Sequence, residues 1–303
     1  MIPHYVLIIH GIGLEKSGFS NPLRERITEV FQRTVGRFSP QPPQGAIDIK
    51  EVVWSEVTQV DENQLWGRLF PNLGNWISRV RYRALLRKYV VDYVGDLIAY
   101  VAIPGVNKYR DIHGKFFQTM DQFTRDAGSH GATLQKPALL TVVAHSLGAV
   151  IASDAIYSRI ESQTWPAQLQ LANLITLGSP LALYTLRFGD PDNSSSPITM
   201  QDPEGLWINI FDPQDVVGHP LKPVNTQYDQ AVYTDKVINA GQWWKIWQWP
   251  QQASPGSHLL YWEDNTVAEI IGRKAALDWL RENQPELGSL LGQEYAEYKR
   301  WIA

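Results

Sequence analysis

The stretch TVVAHSLGAV, residues Thr141 to Val150, constrains the fold more than any other part of the chain. A mostly apolar run from Leu139 to Ala144 predicts a buried strand, and it stops at His145-Ser146-Leu147-Gly148. Apolar residues then recur at helical spacing, at Leu147, Val150, Ile151, Ala155, Ile156 and Ile160. The sequence therefore predicts a strand, a one-residue corner and a helix.

Small residues lie two positions to either side of Ser146, Ala144 before it and Gly148 after it. At a sharp corner, larger side chains there would collide where the strand and the helix cross, so alanine is the largest residue that we expect to fit. The spacing is that of the nucleophile elbow, G-x-S-x-G, with Ala for the first Gly. The helix N-terminus beneath Ser146 favours a developing negative charge. The alternative is a chance small-Ser-small triplet in an ordinary strand–helix turn.

Length and composition are those of a globular protein with a sizeable core. The chain has 303 residues, of which 44% are hydrophobic and 19% charged, which predicts one large α/β domain or two small ones. The net charge of -4 gives no indication of nucleic-acid binding. Without cysteine, disulfides, thiolate catalysis and cysteine-ligated metals are excluded. Since a strand is predicted almost at the N-terminus, and no apolar run approaches the ~18 residues of a membrane span, we expect a cytoplasmic protein without a signal peptide.

Predicted strands alternate with predicted helices along the whole chain. The strands are expected at residues 5–9, 47–53, 139–144, 174–177, 206–211 and 236–239. The helices are expected at residues 21–35, 65–73, 76–102, 109–125, 147–160, 266–280 and 286–301, the first with Asn21 as its cap. This alternation predicts an α/β fold with a parallel sheet and helices on both faces. We find no linker long enough to separate domains and expect one domain over residues 1–303.

The first predicted strand ends in His10-Gly11-Ile12-Gly13. A strand that ends in His-Gly-x-Gly is where serine hydrolases of the α/β-hydrolase type form half of their oxyanion hole. Glycine permits the close backbone turn, and the amide of Ile12 would point at the oxyanion. The alternative is a plain Gly-rich turn between a strand and a helix.

An elbow serine needs a base and a group that orients the base, and in this architecture the order along the chain is Ser, acid, His. Asp212 and Asp215 both follow the predicted strand that ends at Phe211. Asp215 is favoured because it lies four residues past the strand and leads into Val216-Val217 and Pro220. The alternative is that both aspartates only cap turns.

The chain has seven histidines, and one of them lies at the third required place. His258 follows the last predicted strand and precedes the closing helices, within the sequence SPGSHLLYW. The other six histidines fit the expected position of the base less well. They precede the elbow, lie within it, belong to the glycine turn or come too close to the acid: His4, His10, His113, His130, His145 and His219.

Together these pieces resemble the α/β-hydrolase superfamily, and within it the lipase and esterase branches. The resemblance covers about residues 4–282, and a further likeness to intracellular phospholipase A1-type enzymes involves residues 92–100 and Ser153-Asp154. Ala144 departs from the usual Gly, and the chain begins at the third strand of the family, so about six mostly parallel strands are expected. The matching pieces are His10-Gly-Ile-Gly13, Ala144-His-Ser-Leu-Gly148, Leu177-Gly-Ser-Pro180, Asp215-x-Val217 and Gly256-Ser-His258-x-x-Tyr261-Trp262.

The resemblance implies a carboxylic ester hydrolase in which Ser146 attacks the carbonyl and His258 moves the proton. Asp215 would fix the imidazole, and the amides of Ile12 and Leu147 would hold the oxyanion. No metal and no organic cofactor is implied, and the partner is a small-molecule or lipid ester. Two alternatives stay open: a thioesterase, amidase or acyltransferase on the same fold, or a non-catalytic module that binds lipid or protein.

Two aromatic-rich segments bear on the substrate. Residues 64–91 contain six basic residues and no acid, interleaved with aromatic and aliphatic residues, which is typical of a basic amphipathic helix on an anionic surface. Residues 243–249 contain four tryptophans, which would line an acyl pocket or enter a lipid interface. The alternatives are a helix with a solvated basic face and a loop packed on the core. We expect a cap insertion at about residues 60–105, peripheral membrane contact, and substrate contacts from His10, Gly11, Trp243, Trp244 and Trp247.

The cap hypothesis predicts that long-chain ester hydrolysis rises on anionic vesicles, because each basic residue contributes about 1 kcal/mol near such a surface. Added salt should lower this activity, since exposed charges are screened beyond ~8–10 Å. Trp247→Ala should lose activity on long-chain esters and retain it on short-chain esters. Rates that are indifferent to vesicles and to salt would contradict the hypothesis.

Overall fold

The computed structural model describes residues 1–11, 16–39, 44–57, 108–185, 197–240 and 256–303. Six strands form one sheet in the order β2-β1-β3-β4-β5-β6, and every neighbouring pair is parallel. The strands are β1 (His4–Ile9), β2 (Ile47–Val52), β3 (Ala138–His145), β4 (Leu169–Leu177), β5 (Leu206–Phe211) and β6 (Val232–Val237). The expected α/β class with about six parallel strands is confirmed.

The helices that lie between and after these strands carry the labels α1 to α8 below. They are α1 (Asn21–Gly36), α2 (Lys108–Ser129), α3 (Leu147–Glu161), α4 (Leu181–Tyr184), α5 (Thr226–Ala231), α6 (Gly256–Leu259), α7 (Asn265–Asn283) and α8 (Gly288–Ile302). Short 3₁₀ turns occur at Ser55–Val57, Lys222–Val224, Leu260–Glu263 and Pro285–Leu287.

Both faces of the sheet are covered by helices, which is why its central strands are nearly all apolar. Alternate residues of a strand point to opposite faces. Tyr5, Leu7 and Ile9 of β1 therefore pack in one core with α2 and α3. Val6 and Ile8 pack in the other core with α1, α7 and α8. The carboxyl ends of all six strands meet at one edge, and this edge is where a parallel sheet presents its functional loops.

A buried polar network ties α7 to the sheet. Lys274 on α7 donates to Asp278 Oδ1 at 2.5 Å, and Tyr295 on α8 donates to the same oxygen at 2.6 Å. Asn173 of β4 donates to Asp278 Oδ2 at 2.8 Å and to Thr141 of β3 at 2.9 Å. A buried carboxylate is tolerated only with such partners, so these bonds fix one arrangement of α7 over the sheet.

The structure corrects several predicted boundaries. Strand β4 begins at Leu169 and not at residue 174, because a buried polar residue, Asn173, interrupts the apolar run inside the strand. Strand β6 ends at Val237, whereas the prediction placed it at residues 236–239. It is an edge strand with exposed and polar positions, so its apolar pattern is weak. Helix α1 begins after Ser20 and not with Asn21 as its cap, and the Ser20 hydroxyl donates to Glu51 at 2.6 Å.

The predicted helices at 65–73 and 76–102, and with them the expected cap at about 60–105, lie outside the described residues. Among the helices that the structure describes, none combines the length and the apolar character needed to cross a lipid bilayer.

Close packing of α1 on α7 depends on a glycine. A β-carbon added at Gly272 would lie 2.7 Å from Val30 Cβ and 2.9 Å from the carbonyl oxygen of Ile27. We predict that Gly272→Ala lowers the free energy of unfolding by about 1–3 kcal/mol, the usual cost of overpacking. A denaturant titration measures the change.

Gly114 in α2 provides the matched control, since an added β-carbon there would meet no atom within 4 Å. Gly114→Ala should raise the stability by about 0.5–1 kcal/mol, because alanine loses less backbone entropy in a helix. An equal effect of the two substitutions would show that helix propensity, and not the α1–α7 contact, governs position 272.

Candidate active site

Ser146 occupies the corner between β3 and α3 in a strained conformation. Its φ is 54° and its ψ is -130°, a region that non-glycine residues rarely adopt and that costs about 1–3 kcal/mol. The Ser146 amide donates to the carbonyl oxygen of Leu177 at 2.9 Å. A β-carbon at Gly148 would lie 2.3 Å from the carbonyl oxygen of His10. A small residue is therefore required after the corner, as the sequence predicts.

The end of β1 lies directly against the serine. A β-carbon added at Gly11 would lie 2.4 Å from Ser146 Cβ. His10 is fully buried: its Nδ1–H donates to the carbonyl oxygen of Gly11 at 2.7 Å, and its Nε2 accepts from the Trp54 amide at 3.1 Å. Burial lowers the pKa of His10 to about 4, so the ring is neutral at neutral pH. Ile12, the expected oxyanion donor of this turn, lies outside the described residues.

The structure brings the three expected polar side chains together. His258 Nε2 lies 2.7 Å from Ser146 Oγ, and His258 Nδ1 lies 2.8 Å from Asp215 Oδ2. All three residues are buried. A carboxylate only accepts, so Nδ1 carries the proton, and in the neutral ring Nε2 accepts from the serine hydroxyl. The geometry is that of a serine nucleophile with an adjacent base and an acid that orients the base.

Asp215 is held by donors on both carboxylate oxygens. The Val217 amide donates to Oδ1 at 2.9 Å, and the Tyr261 hydroxyl donates to Oδ2 at 3.0 Å. Burial opposes the charge, but the bonds from His258, Val217 and Tyr261 outweigh it and hold the pKa of Asp215 below its ordinary value. The carboxylate is therefore ionised at neutral pH.

Asp212, the other candidate acid, holds the loop. Its Oδ1 accepts from the Gln214 amide at 2.8 Å, and its Oδ2 accepts from the Ala240 amide at 2.9 Å. The structure thus places Asp215, and not Asp212, against His258, which agrees with the preference drawn from the spacing along the chain.

The structure agrees with the predicted positions of the remaining site residues to different degrees. His258 is carried by the short helix α6, where the sequence predicted a loop. Leu147 is the first residue of α3, so its amide belongs to the first turn, where helical N–H groups lack an intrahelical partner. The expected substrate contacts Trp243, Trp244 and Trp247 lie outside the described residues.

Glycines and a tyrosine that had no predicted role complete the site. A β-carbon at Gly178, where φ is 53°, would lie 2.7 Å from Asp215 Oδ2 and 3.2 Å from His258 Nδ1. One at Gly218 would lie 2.9 Å from the same carboxylate oxygen. The hydroxyl of Tyr261 also accepts from the Asp212 amide at 2.8 Å, which directs its own proton toward Asp215. The spacing His258-x-x-Tyr261, one helical turn, was the available signal.

Comparison of the sequence with protein-family models and with curated proteins finds no match. In the part of the chain that the structure describes, no three His, Asp or Glu side chains are grouped as they would be to hold a metal ion.

Substitutions at Asp215 and at Asp212 should have very different effects on the rate at which Ser146 reacts with a fluorophosphonate. We predict that Asp215→Asn slows phosphonylation by about four orders of magnitude, since the imidazole loses its orienting carboxylate and adopts the wrong tautomer. The measurement is the second-order rate of labelling, followed by mass spectrometry.

Asp212→Asn serves as the matched control. Its rate of labelling should lie within a few-fold of the rate of the wild-type protein. Its free energy of unfolding should be lower by about 1–3 kcal/mol, because an amide has one oxygen and cannot accept from both backbone donors. The reverse ranking of the labelling rates would exclude Asp215 as the acid.

Proposed function

We propose that this protein is a serine hydrolase of the α/β-hydrolase type that cleaves carboxylic esters. The observation that carries the proposal is the continuous chain of two hydrogen bonds from Ser146 through His258 to Asp215, at 2.7 and 2.8 Å. The chain lies at the carboxyl edge of a parallel sheet, with the serine at a strained corner. Such strain is found at functional sites, where the surrounding structure holds the residue in place.

In the proposed acylation step, Ser146 Oγ attacks the ester carbonyl carbon while His258 Nε2 takes the hydroxyl proton. Asp215 stabilises the resulting imidazolium and does not itself become protonated. When the tetrahedral intermediate collapses, His258 returns the proton to the leaving alcohol, and the acyl group stays on Ser146. Water then enters and its oxygen attacks the acyl carbon while His258 Nε2 takes one of its protons. The bond from Ser146 Oγ to the acyl carbon breaks, His258 returns the proton to Oγ, and the carboxylic acid leaves.

The negative charge on the carbonyl oxygen needs donors that are in place before the reaction. The Leu147 amide lies at the N-terminus of α3, where unpaired N–H groups and the helix dipole favour an anion. The sequence assigns the second donor to the Ile12 amide, and the preceding residue, Gly11, contacts Ser146. One such donor contributes about 3–4 kcal/mol to the stability of the transition state.

An apolar acyl group is the substrate class that the surroundings of the site favour. Val216 and Leu259, which directly follow Asp215 and His258 in the chain, expose 68% and 46% of their surface. Apolar side chains that adjoin reactive groups suit a ligand with an apolar acyl group. The tryptophans at 243–249 and the basic segment at 64–91 extend this proposal to lipid esters.

A p-nitrophenyl ester series from acetate to palmitate tests the proposal. We predict that the wild-type protein hydrolyses these esters and that its kcat/KM rises with acyl length. For Ser146→Ala we predict that kcat falls by about six orders of magnitude, the scale of the loss when a triad serine is removed. A matched acyl-thioester arm measures whether oxygen esters are preferred.

Ser158→Ala is the control, because Ser158 is an exposed serine on the same helix α3. It should keep the rate of the unchanged chain. Hydrolysis that persists in Ser146→Ala, or its absence from the unchanged chain across the whole series, would overturn the proposed function.

A further inference from the structure

His145 lies beside the reacting groups, although the mechanism above does not use it. It is the last residue of β3, is buried, and immediately precedes Ser146 in the chain. Its ring centroid is 4.7 Å from that of His258, 5.6 Å from that of Tyr261 and 5.1 Å from that of Trp262. The ring of His145 therefore packs against the ring of His258, the proposed base.

The ring of His145 makes a specific bond to the main chain of the base. Its Nε2 lies 2.7 Å from the carbonyl oxygen of His258. A carbonyl oxygen only accepts, so Nε2 carries the proton. Burial, with a smaller contribution from His258, lowers the pKa of His145 to about 3. The ring is therefore neutral and adds no second positive charge beside the imidazolium that forms during acylation.

The main chain of His258 needs an external anchor. Helix α6 has four residues, Gly256–Leu259, too few to be stabilised by its own intrahelical bonds. The following 3₁₀ turn is fixed through the buried Tyr261, whose hydroxyl reaches Asp215. The bond from His145 fixes the other end of this segment, at the residue that carries the base.

These contacts close a ring of interactions around the nucleophile. Ser146 Oγ meets His258 Nε2, the carbonyl oxygen of His258 meets His145 Nε2, and a peptide bond joins His145 to Ser146. We propose that His145 is a positioning residue, which sets the distance between the base and the nucleophile by holding the main chain of His258. This inference rests on the proposed function and goes beyond it, since it adds a residue outside the Ser-His-Asp set.

Loss of positioning should appear in kcat and not in KM, because the substrate is bound by other groups. His145→Leu removes the donor and keeps an apolar side chain among the same rings. We expect kcat for p-nitrophenyl butyrate to fall by about ten- to a hundred-fold, the effect of a small misplacement of reacting groups, with KM within about two-fold. The rate at which a fluorophosphonate labels Ser146 should fall in the same proportion.

Two amide variants separate positioning from packing. His145→Gln places an N–H close to the reach of Nε2, and it should recover most of the lost kcat. His145→Asn carries the same amide one methylene shorter, so it should remain impaired at a similar denaturation midpoint. His113→Leu is the control for removing a buried histidine, since His113 lies on α2 and is also neutral, its pKa lowered to about 4 by burial. Its kcat should be unchanged.

Each outcome decides the inference. A kcat for His145→Leu equal to that of the unchanged chain overturns the positioning role and leaves the Ser146-dependent hydrolysis intact. Equal kcat values for the Gln and Asn variants overturn it as well, even if the Leu variant fails to fold, because reach to the carbonyl would then not matter. If the wild-type protein shows no hydrolysis that depends on Ser146, both this inference and the proposed function are overturned.

Discussion

The close approach of β1 and β3 at the corner of Ser146 is the constraint on which the rest of the site depends. The two strands are neighbours in the middle of the sheet, with Ile9 opposite Ala144. Their ends lie so close that Gly11 touches Ser146 and Gly148 touches the carbonyl of His10. Only glycine fits at these two contacts, and the serine is forced into a positive φ. Ser146 lies at the end of β3 with φ 54°, and His258 and Asp215 from later segments meet it there.

His258 and Asp215 are brought to this corner by chain segments that have little regular structure of their own. They are fixed instead by buried polar bonds, from Val217 and Tyr261 to Asp215 and from His145 to the main chain of His258. Buried polar groups without partners are costly, so each of these bonds also selects one arrangement of the loops. Gly178 leaves room for the carboxylate and imidazole to meet.

Much of the fold and part of the site were predictable because they depend on local patterns. Continuous apolar runs identified the central strands, and small residues around Ser146 identified the corner. Strands β4 and β6 were misplaced at their ends, because Asn173 is buried with partners from other elements and β6 lies at the edge of the sheet. Neither fact is visible in the residues of the strand itself.

The sequence by itself determined the order of the six strands and of the long helices that the structure describes, the strand–corner–helix at Ser146 and the shortlist of acids and bases. These follow from periodicity, side-chain size and order along the chain. Only the tertiary structure decided that Asp215 meets His258 while Asp212 holds its loop, that His10 and His145 act as neutral donors to backbone carbonyls, and that Tyr261 reaches the acid. The reason is physical: these roles depend on distances between segments far apart in the chain, and such distances are set by packing on both faces of the sheet.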